Sequence, residues 1–229
     1  MPDAAHRPSM DIEKRSTVSG PLAYLFTDFE CTGLDEHVDE IVEIGIIGVD
    51  EDLSELFSYT TLIQPNARTI ERIESQPIVL AMMEANGLIY ELREAVGGND
   101  LPDLATAVSR INELIDTFGA GGRVTLGGSG VATYDYTFIK AQAPELAAKL
   151  TYWCNDVGDS RRRWRAATGG DLVPIDAGKN HRAFEDVTIH LEEARYYRAL
   201  FQKMTEVFGG SDFETVMAGL ESVEKVPAG

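Results

Sequence analysis

The chain has 229 residues, 44% of them hydrophobic and 25% charged, which is the balance of one globular domain rather than a disordered chain or a small disulfide scaffold. A formal charge of −18 repels long polyanions, and so argues against coating DNA or gripping an anionic membrane through a basic face. Any nucleic-acid partner would be short, or would be met at a local site whose charge metal ions reverse. The two cysteines, Cys31 and Cys154, read as free thiols of a reducing cytoplasm. No apolar run approaches the roughly 20 residues needed to cross a bilayer. Residues 1–20 are polar, lack the apolar core of a signal peptide, and read as a flexible leader.

Leu22 to Thr27 is a short apolar, β-prone run that predicts a buried strand. Ile41 to Val49 predicts a second, and Ser58 to Ile63, rich in Thr and Tyr, closes an antiparallel meander of three. From Ser75 to Val96 the pattern turns helical, with a break at Asn86-Gly87. Asp103 then caps a helix whose apolar positions, from Leu104 to Phe118, fall three and four apart on one face. Arg123 to Gly127 predicts a fourth strand, Thr133 to Ala141 a short helix and Leu150 to Val157 a fifth strand. Asp159 or Ser160 is expected to cap an Arg-rich helix. The last long helix is expected over Arg182 to Phe208, with Val187, Leu191, Ala194, Tyr197, Phe201, Met204 and Phe208 facing inward. A meander followed by alternating helices and strands predicts an α/β sandwich around one mixed five-stranded sheet. This domain would span residues 21–208, followed by a tail, 209–229, that is partly helical or mobile.

Asp28 and Glu30 follow the first strand directly. Residues i and i+2 of an extended chain share a face, so the two carboxylates project together and Phe29 points away. Placed so, they repel each other unless a cation sits between them. Asp135 comes after the fourth strand, beyond the glycines of Gly127-Gly128-Ser129-Gly130. His181 falls in the loop before the last helix, with Asp186 one turn inside it, so a loop imidazole can swing over a carboxylate on the helix wall. Taken one at a time, these residues also read as a polar strand end, a helix cap and a solvated loop histidine.

Taken together they carry a resemblance. Thr27-Asp28-Phe29-Glu30-Cys31-Thr32-Gly33-Leu34, the later Asp135, and His181-Arg182-Ala183-Phe184-Glu185-Asp186-Val187 resemble the histidine-bearing subclass of the DEDD superfamily of 3′–5′ exonucleases, over roughly residues 22 to 205. Within it the chain looks most like oligoribonuclease, from Ile41-Val42-Glu43-Ile44, Tyr152, Asp156-Val157 and Glu193 to Arg198. The resemblance implies a ribonuclease H-like fold and a metal-dependent 3′–5′ exoribonuclease acting on short single-stranded RNA, or on DNA 3′ ends, and releasing 5′ nucleoside monophosphates. It implies Asp28, Glu30, Asp135 and Asp186 as ligands of two divalent cations, Mg or Mn, since hard oxygen ligands select hard ions. His181, whose ordinary pKa is about 6.5, is then the general base. Leu34 matches an apolar wedge between the two terminal bases. Tyr152 matches an aromatic lent by a partner subunit, which implies a homodimer.

The chain departs from that pattern at the cap that grips the 5′ phosphate of a dinucleotide. Val131, Trp153 and Gly158 stand where the family carries serine, arginine and serine, and none supplies a charge-assisted phosphate bond. The family's tryptophan-bearing segment is shortened around Met83 to Gly87. Arg161-Arg162-Arg163-Trp164-Arg165 can grip a backbone, but on an acidic protein such residues also make ion pairs. Cys31 reads as a buried thiol, His37 and His190 as exposed, and Glu43 as a hydrogen-bonding neighbour of the site. Three other readings stay open: a DNA exonuclease, a catalytically silent oligonucleotide-binding module, and a generic acidic calcium binder, the last without an EF-hand loop in the sequence.

Overall fold

Alternating β-branched residues and glycines dictate a sheet at the centre of this protein. The computed structural model describes residues 10–13, 20–173, 181–208, 212, 214, 215, 217 and 218. The strands are β1 (Met10–Glu13), β2 (Tyr24–Cys31), β3 (Ile41–Val49), β4 (Glu55–Leu62), β5 (Val124–Gly128) and β6 (Leu150–Asp156). They form one mixed sheet in the order β1-β4-β3-β2-β5-β6. The five expected strands are all present, and β2–β3–β4 is the antiparallel meander, with Asp28 opposite Gly45 and Glu30 opposite Glu43. Beyond it β5 runs parallel to β2, and β6 parallel to β5. Residues 10–13, expected within a leader, instead pair antiparallel with β4 at the sheet edge. In the C-terminal tail, residues 214, 215, 217 and 218 are helical, and the rest of the stretch expected to be helical lies outside the described residues.

β3 is buried along its whole length, because helices cover both faces of the sheet there. On one face α4 (Leu104–Phe118) packs Ile111, Leu114 and Ile115 against Leu25, Phe29 and Ile44. On the other, α8 (Ala183–Phe208) packs Val187, Leu191 and Ala194 against Phe26, Ile47 and Val49. Each fully buried phenylalanine, such as Phe26, is worth about 2–3 kcal/mol of apolar burial. A third, smaller cluster joins Val42 to α1 (Ala67–Glu74), α2 (Pro77–Asn86) and α3 (Leu88–Ala95) through Ile73, Met83, Leu88, Ile89 and Leu92. The remaining helices are α5 (Asp135–Gln142), α6 (Pro144–Ala147) and α7 (Val157–Thr168).

Side-chain caps explain the starts of α1, α4 and α7. Asp103 accepts from Thr106 N at 2.8 Å, as its position predicts. α1 has no counterpart in the sequence expectation, yet its start is encoded in a capping box: Asn66 Oδ1 accepts from Thr69 N, while Thr69 Oγ1 accepts from Asn66 N. The Arg-rich helix begins earlier than Asp159 or Ser160. Its cap is Asp156, which accepts from Asp159 N at 3.1 Å and also from Gly130 N at 3.2 Å, so one carboxylate serves both the helix and the neighbouring loop.

The inward stripe of α8 also differs from the expectation. It stays buried through Tyr197, but Phe201 and Met204 are exposed, on an open groove that they share with Asn155 of β6 and Trp164 of α7. His190, expected on the surface, is 1% exposed. It lies one turn beyond Asp186 and three residues from Val187, on the face that meets β2.

Candidate active site

The Asp28–Glu30 pair sits at the end of β2, in line with Phe26 and therefore on the α8 face of the sheet. Phe29 turns into the opposite core, as the alternation predicts. α8 lies across this strand end and brings Asp186 in its first turn, with His181 two residues before the helix begins. Glycine at position 45 permits that approach: a Cβ there would stand 2.4 Å from the carbonyl of Ala183, so only glycine lets the start of α8 lie on β3.

Glu30, His181 and Asp186 each offer one ligand atom, and these atoms lie within 4.8 Å of one another. Asp135, the first residue of α5, is buried, and its Oδ1 accepts from Phe29 N at 3.0 Å, between the two carboxylate-bearing positions of β2. Asp28 stands beside the buried His190, with Oδ1 3.7 Å from Nδ1. The four acids named from the sequence thus surround one strand end. Within it, the tight group is two of them with the imidazole. His190 is the residue the sequence reading missed; its spacing of four from Asp186, on the same helical face, was the available signal.

Burial, followed by the carboxylates of Glu43, Asp186 and Asp135, pushes the Glu30 carboxyl up to about 9, and the Arg182 guanidinium only partly opposes them. At 6% exposure Glu30 cannot relieve this charge in water. Buried acids that repel each other, with an imidazole at ligand range, are a donor set that a hard divalent cation satisfies.

Two frames hold the site. Glu43, on the strand beside Glu30, accepts from Arg182 Nε at 3.1 Å and Nη2 at 2.9 Å and from Ala183 N at 3.1 Å. Arg182 also donates Nη1 to Glu91 of α3 at 2.7 Å, so the root of α8 is pinned to β3 and to α3. The second frame holds the turn after β2. Burial works to raise the Asp39 carboxyl, but bonds from Arg72, Asp35 N and the Thr32 hydroxyl outweigh it and hold the group below the ordinary carboxylate range. Tyr134 donates its hydroxyl to the Gly33 carbonyl at 3.0 Å. Leu34, next in the chain, is 80% exposed on this braced turn.

The remaining candidates fall into place around this centre. Tyr152 is 80% exposed on β6, edge-on to Trp153 at 4.6 Å. Val131 is buried in the core, Trp153 is exposed, and Gly158 packs beside Ser129. Arg161 pairs with the buried Glu193, Arg162 and Arg163 lie against Asp159, and Arg165 meets Asp171, so this basic run is spent on ion pairs. Burial pushes the Cys31 thiol well up, which makes it a core group rather than a nucleophile. Among the described residues no helix is long and apolar enough to cross a membrane.

Comparison with known proteins agrees with the arrangement. A family model described as exonuclease (RNase_T) matches residues 25–98, which include the Asp28–Glu30 motif. Among solved structures the chain is similar to Escherichia coli exonuclease I in complex with a 5cy-dA13 oligonucleotide, with a TM-score of 0.54 and 15% identity, over 85% of this chain and 44% of that one. It is also similar to exonuclease I from Methylocaldum szegediense, with a TM-score of 0.57 and 16% identity, over 88% and 46%. The chain thus spans under half the length of these exonuclease I chains, and at such identity they establish the fold alone. Fold and motif together agree with the exonuclease class that the matching family model describes.

The sequence relatives narrow the class. Oligoribonuclease of Leifsonia xyli subsp. xyli (strain CTCB07) is 31% identical over 179 residues, covering 76% of this chain and 81% of that one. Oligoribonuclease of Tropheryma whipplei (strain Twist) is 28% identical over 185 residues, covering 79% and 94%. The chain belongs to the oligoribonuclease family of 3′–5′ exonucleases.

Proposed function

We propose that this protein is a metal-dependent 3′–5′ exoribonuclease that trims short single-stranded oligoribonucleotides to 5′ nucleoside monophosphates. The observation that carries the reading is the meeting of Glu30, Asp186 and His181 at one point, beside Asp28 and Asp135. In this reading Asp28, Glu30, Asp135 and Asp186 hold two divalent cations, Mg or Mn. The cations supply charge for the scissile phosphate and for the attacking and leaving oxygens. His181, exposed at the mouth of the site, accepts the proton of the attacking water. Leu34 wedges between the last two bases, from a turn fixed by Asp39 and Tyr134. Tyr152 projects far enough to serve a second subunit, in a cytoplasmic homodimer.

The formal charge of −18 supports a short substrate. A long duplex would bring many phosphates against an acidic surface, whereas a short strand brings few, and the cations neutralise the one that reacts. The positions where a 5′-phosphate cap would stand hold a core valine, an exposed tryptophan and a packed glycine. We therefore expect hydrolysis to extend over oligomers of several nucleotides rather than peak sharply at two. Labelled RNA and DNA series of about two to twenty nucleotides, incubated with Mn, test this. RNA shortened one nucleotide at a time from its 3′ end, with DNA slower, supports the reading. DNA cut faster than RNA at every length would overturn the assignment to RNA, and binding without turnover would return the silent-module alternative.

A further inference from the structure

We propose that Asn86 is a positioning residue for His181, holding the backbone from which the imidazole reaches over the carboxylates. This rests on the reading of His181 as general base. Asn86 ends α2, at the elbow before α3, far from the chemistry in sequence. Its side-chain Nδ2 donates to the main-chain carbonyl of His181. Its Oδ1 accepts from Leu88 N at 2.9 Å, at the start of α3. Both ends of the amide are used, so its orientation is set by the two bonds.

The elbow is a firm anchor. Met83, Leu88 and Ile89 flank Asn86 and are fully buried in one cluster with Val42 of β3. Gly87 turns the chain at φ 86°, a conformation glycine takes without cost, so Asn86 and Leu88 can bracket the turn. The receiving end is the opposite case. His181 has φ 46°, in the left-handed region that non-glycine residues rarely adopt and that persists only where the surroundings enforce it. The imidazole is exposed, so its aim comes from the backbone that carries it rather than from packing around the ring.

On the following residue, Arg182 is gripped by Glu43 and Glu91, and Ala183 N by Glu43. Those contacts fix the helix that carries Asp186. They do not reach the peptide of His181, and among the described residues Asn86 is the group that holds its carbonyl. The geometry therefore divides the labour: the Glu43–Arg182 clamp places Asp186, and Asn86 places the base relative to it.

A double-mutant cycle tests this with the full chain and an RNA dinucleotide in Mn. Asn86→Asp keeps the oxygen that serves Leu88 N and removes the donor to His181. Asn86→Ser, too short to reach the His181 carbonyl, adds no charge and guards against an electrostatic effect or a failure to fold in the first variant. Each should lower kcat about tenfold with KM within about twofold, since misplacing a catalytic group by an ångström is worth a factor of this order or more. His181→Ala should lower kcat by about 10²–10⁴-fold. In the His181→Ala background the Asn86 variants should then change kcat by less than about twofold, because there is no longer a base to misplace. Equal losses in both backgrounds, or full activity of the Asn86 variants beside a slow His181→Ala, would overturn the positioning role alone. A His181→Ala enzyme as fast as wild type would remove the base reading itself, and this proposal with it.

Discussion

Replacing Glu30 by glutamine removes a charge that the metal-free fold resists. The Glu30 carboxyl has an ordinary value of 4.5 and is pushed up to about 9 in the folded protein, by burial first and by Glu43, Asp186 and Asp135 after it. Between those values the folded protein keeps a proton that the unfolded chain has lost. The stability this group contributes is therefore complete below about pH 4.5 and drains away as pH rises towards about 9. Each pH unit inside that window costs the native state about 1.4 kcal/mol. From about pH 6 to about pH 8 the loss is about 3 kcal/mol, or about 5–10 °C of melting temperature for a chain of this size. Glu30→Gln has nothing to titrate there. Melting curves of chelator-treated wild type and Glu30→Gln across this range should therefore diverge, the variant becoming the more stable of the two at the alkaline end. Saturating Mn should abolish the wild-type slope, because a bound cation favours the ionised carboxylate. Two melting curves that run parallel with pH, with or without Mn, would refute the reasoning that mutual repulsion of buried acids makes this a cation site.

The frames around the site give further expectations. Gly45→Ala sets a methyl group against the Ala183 backbone, and should cost about 2 kcal/mol or more in denaturant unfolding while lowering kcat through displacement of Asp186. Arg182→Met leaves Glu43 buried without its guanidinium, and should cost about 3 kcal/mol by the same measurement; Glu43→Gln, which keeps an acceptor for Ala183 N, should cost less. Leu34→Ala trims an exposed side chain from a braced turn, so it should raise KM for short RNA several-fold and leave the melting temperature within about a degree.

Much of this could be read from the chain because local chemistry and global fold agree in the sheet. Ile41–Val49 is bounded as its run of β-branched residues demands, and the Asp103 cap starts α4 where expected. The pairing of Asp28 with Glu30 follows from a period of two, and the resemblance of three separated motifs located Asp135, His181 and Asp186. What could not be read depends on packing between distant segments. The stripe of α8 looks uniform over Val187 to Phe208, yet beyond Tyr197 it borders an open groove beside α7, where Phe201 and Met204 stay exposed. The sequence reads His190 as exposed, yet the register of α8 carries it beside Asp28. The partners of Arg182, at positions 43 and 91, are set by tertiary packing rather than local spacing, as is the bond from Asn86 to His181. α1 differs, since its start is encoded locally in the Asn66–Thr69 capping box rather than in packing between distant segments.

The central claim is that acids from β2, α5 and α8 act with His181 as one cation-dependent centre on the 3′ end of a short RNA. Release of 5′ nucleoside monophosphate from a short labelled RNA, followed for wild type and Asp186→Asn with Mn and again after chelation, addresses it most directly. Stepwise shortening from the 3′ end should occur in wild type, stop on chelation, and fall by about a thousandfold in the variant. Hydrolysis that survives the chelator, or proceeds in Asp186→Asn at the wild-type rate, would contradict the account.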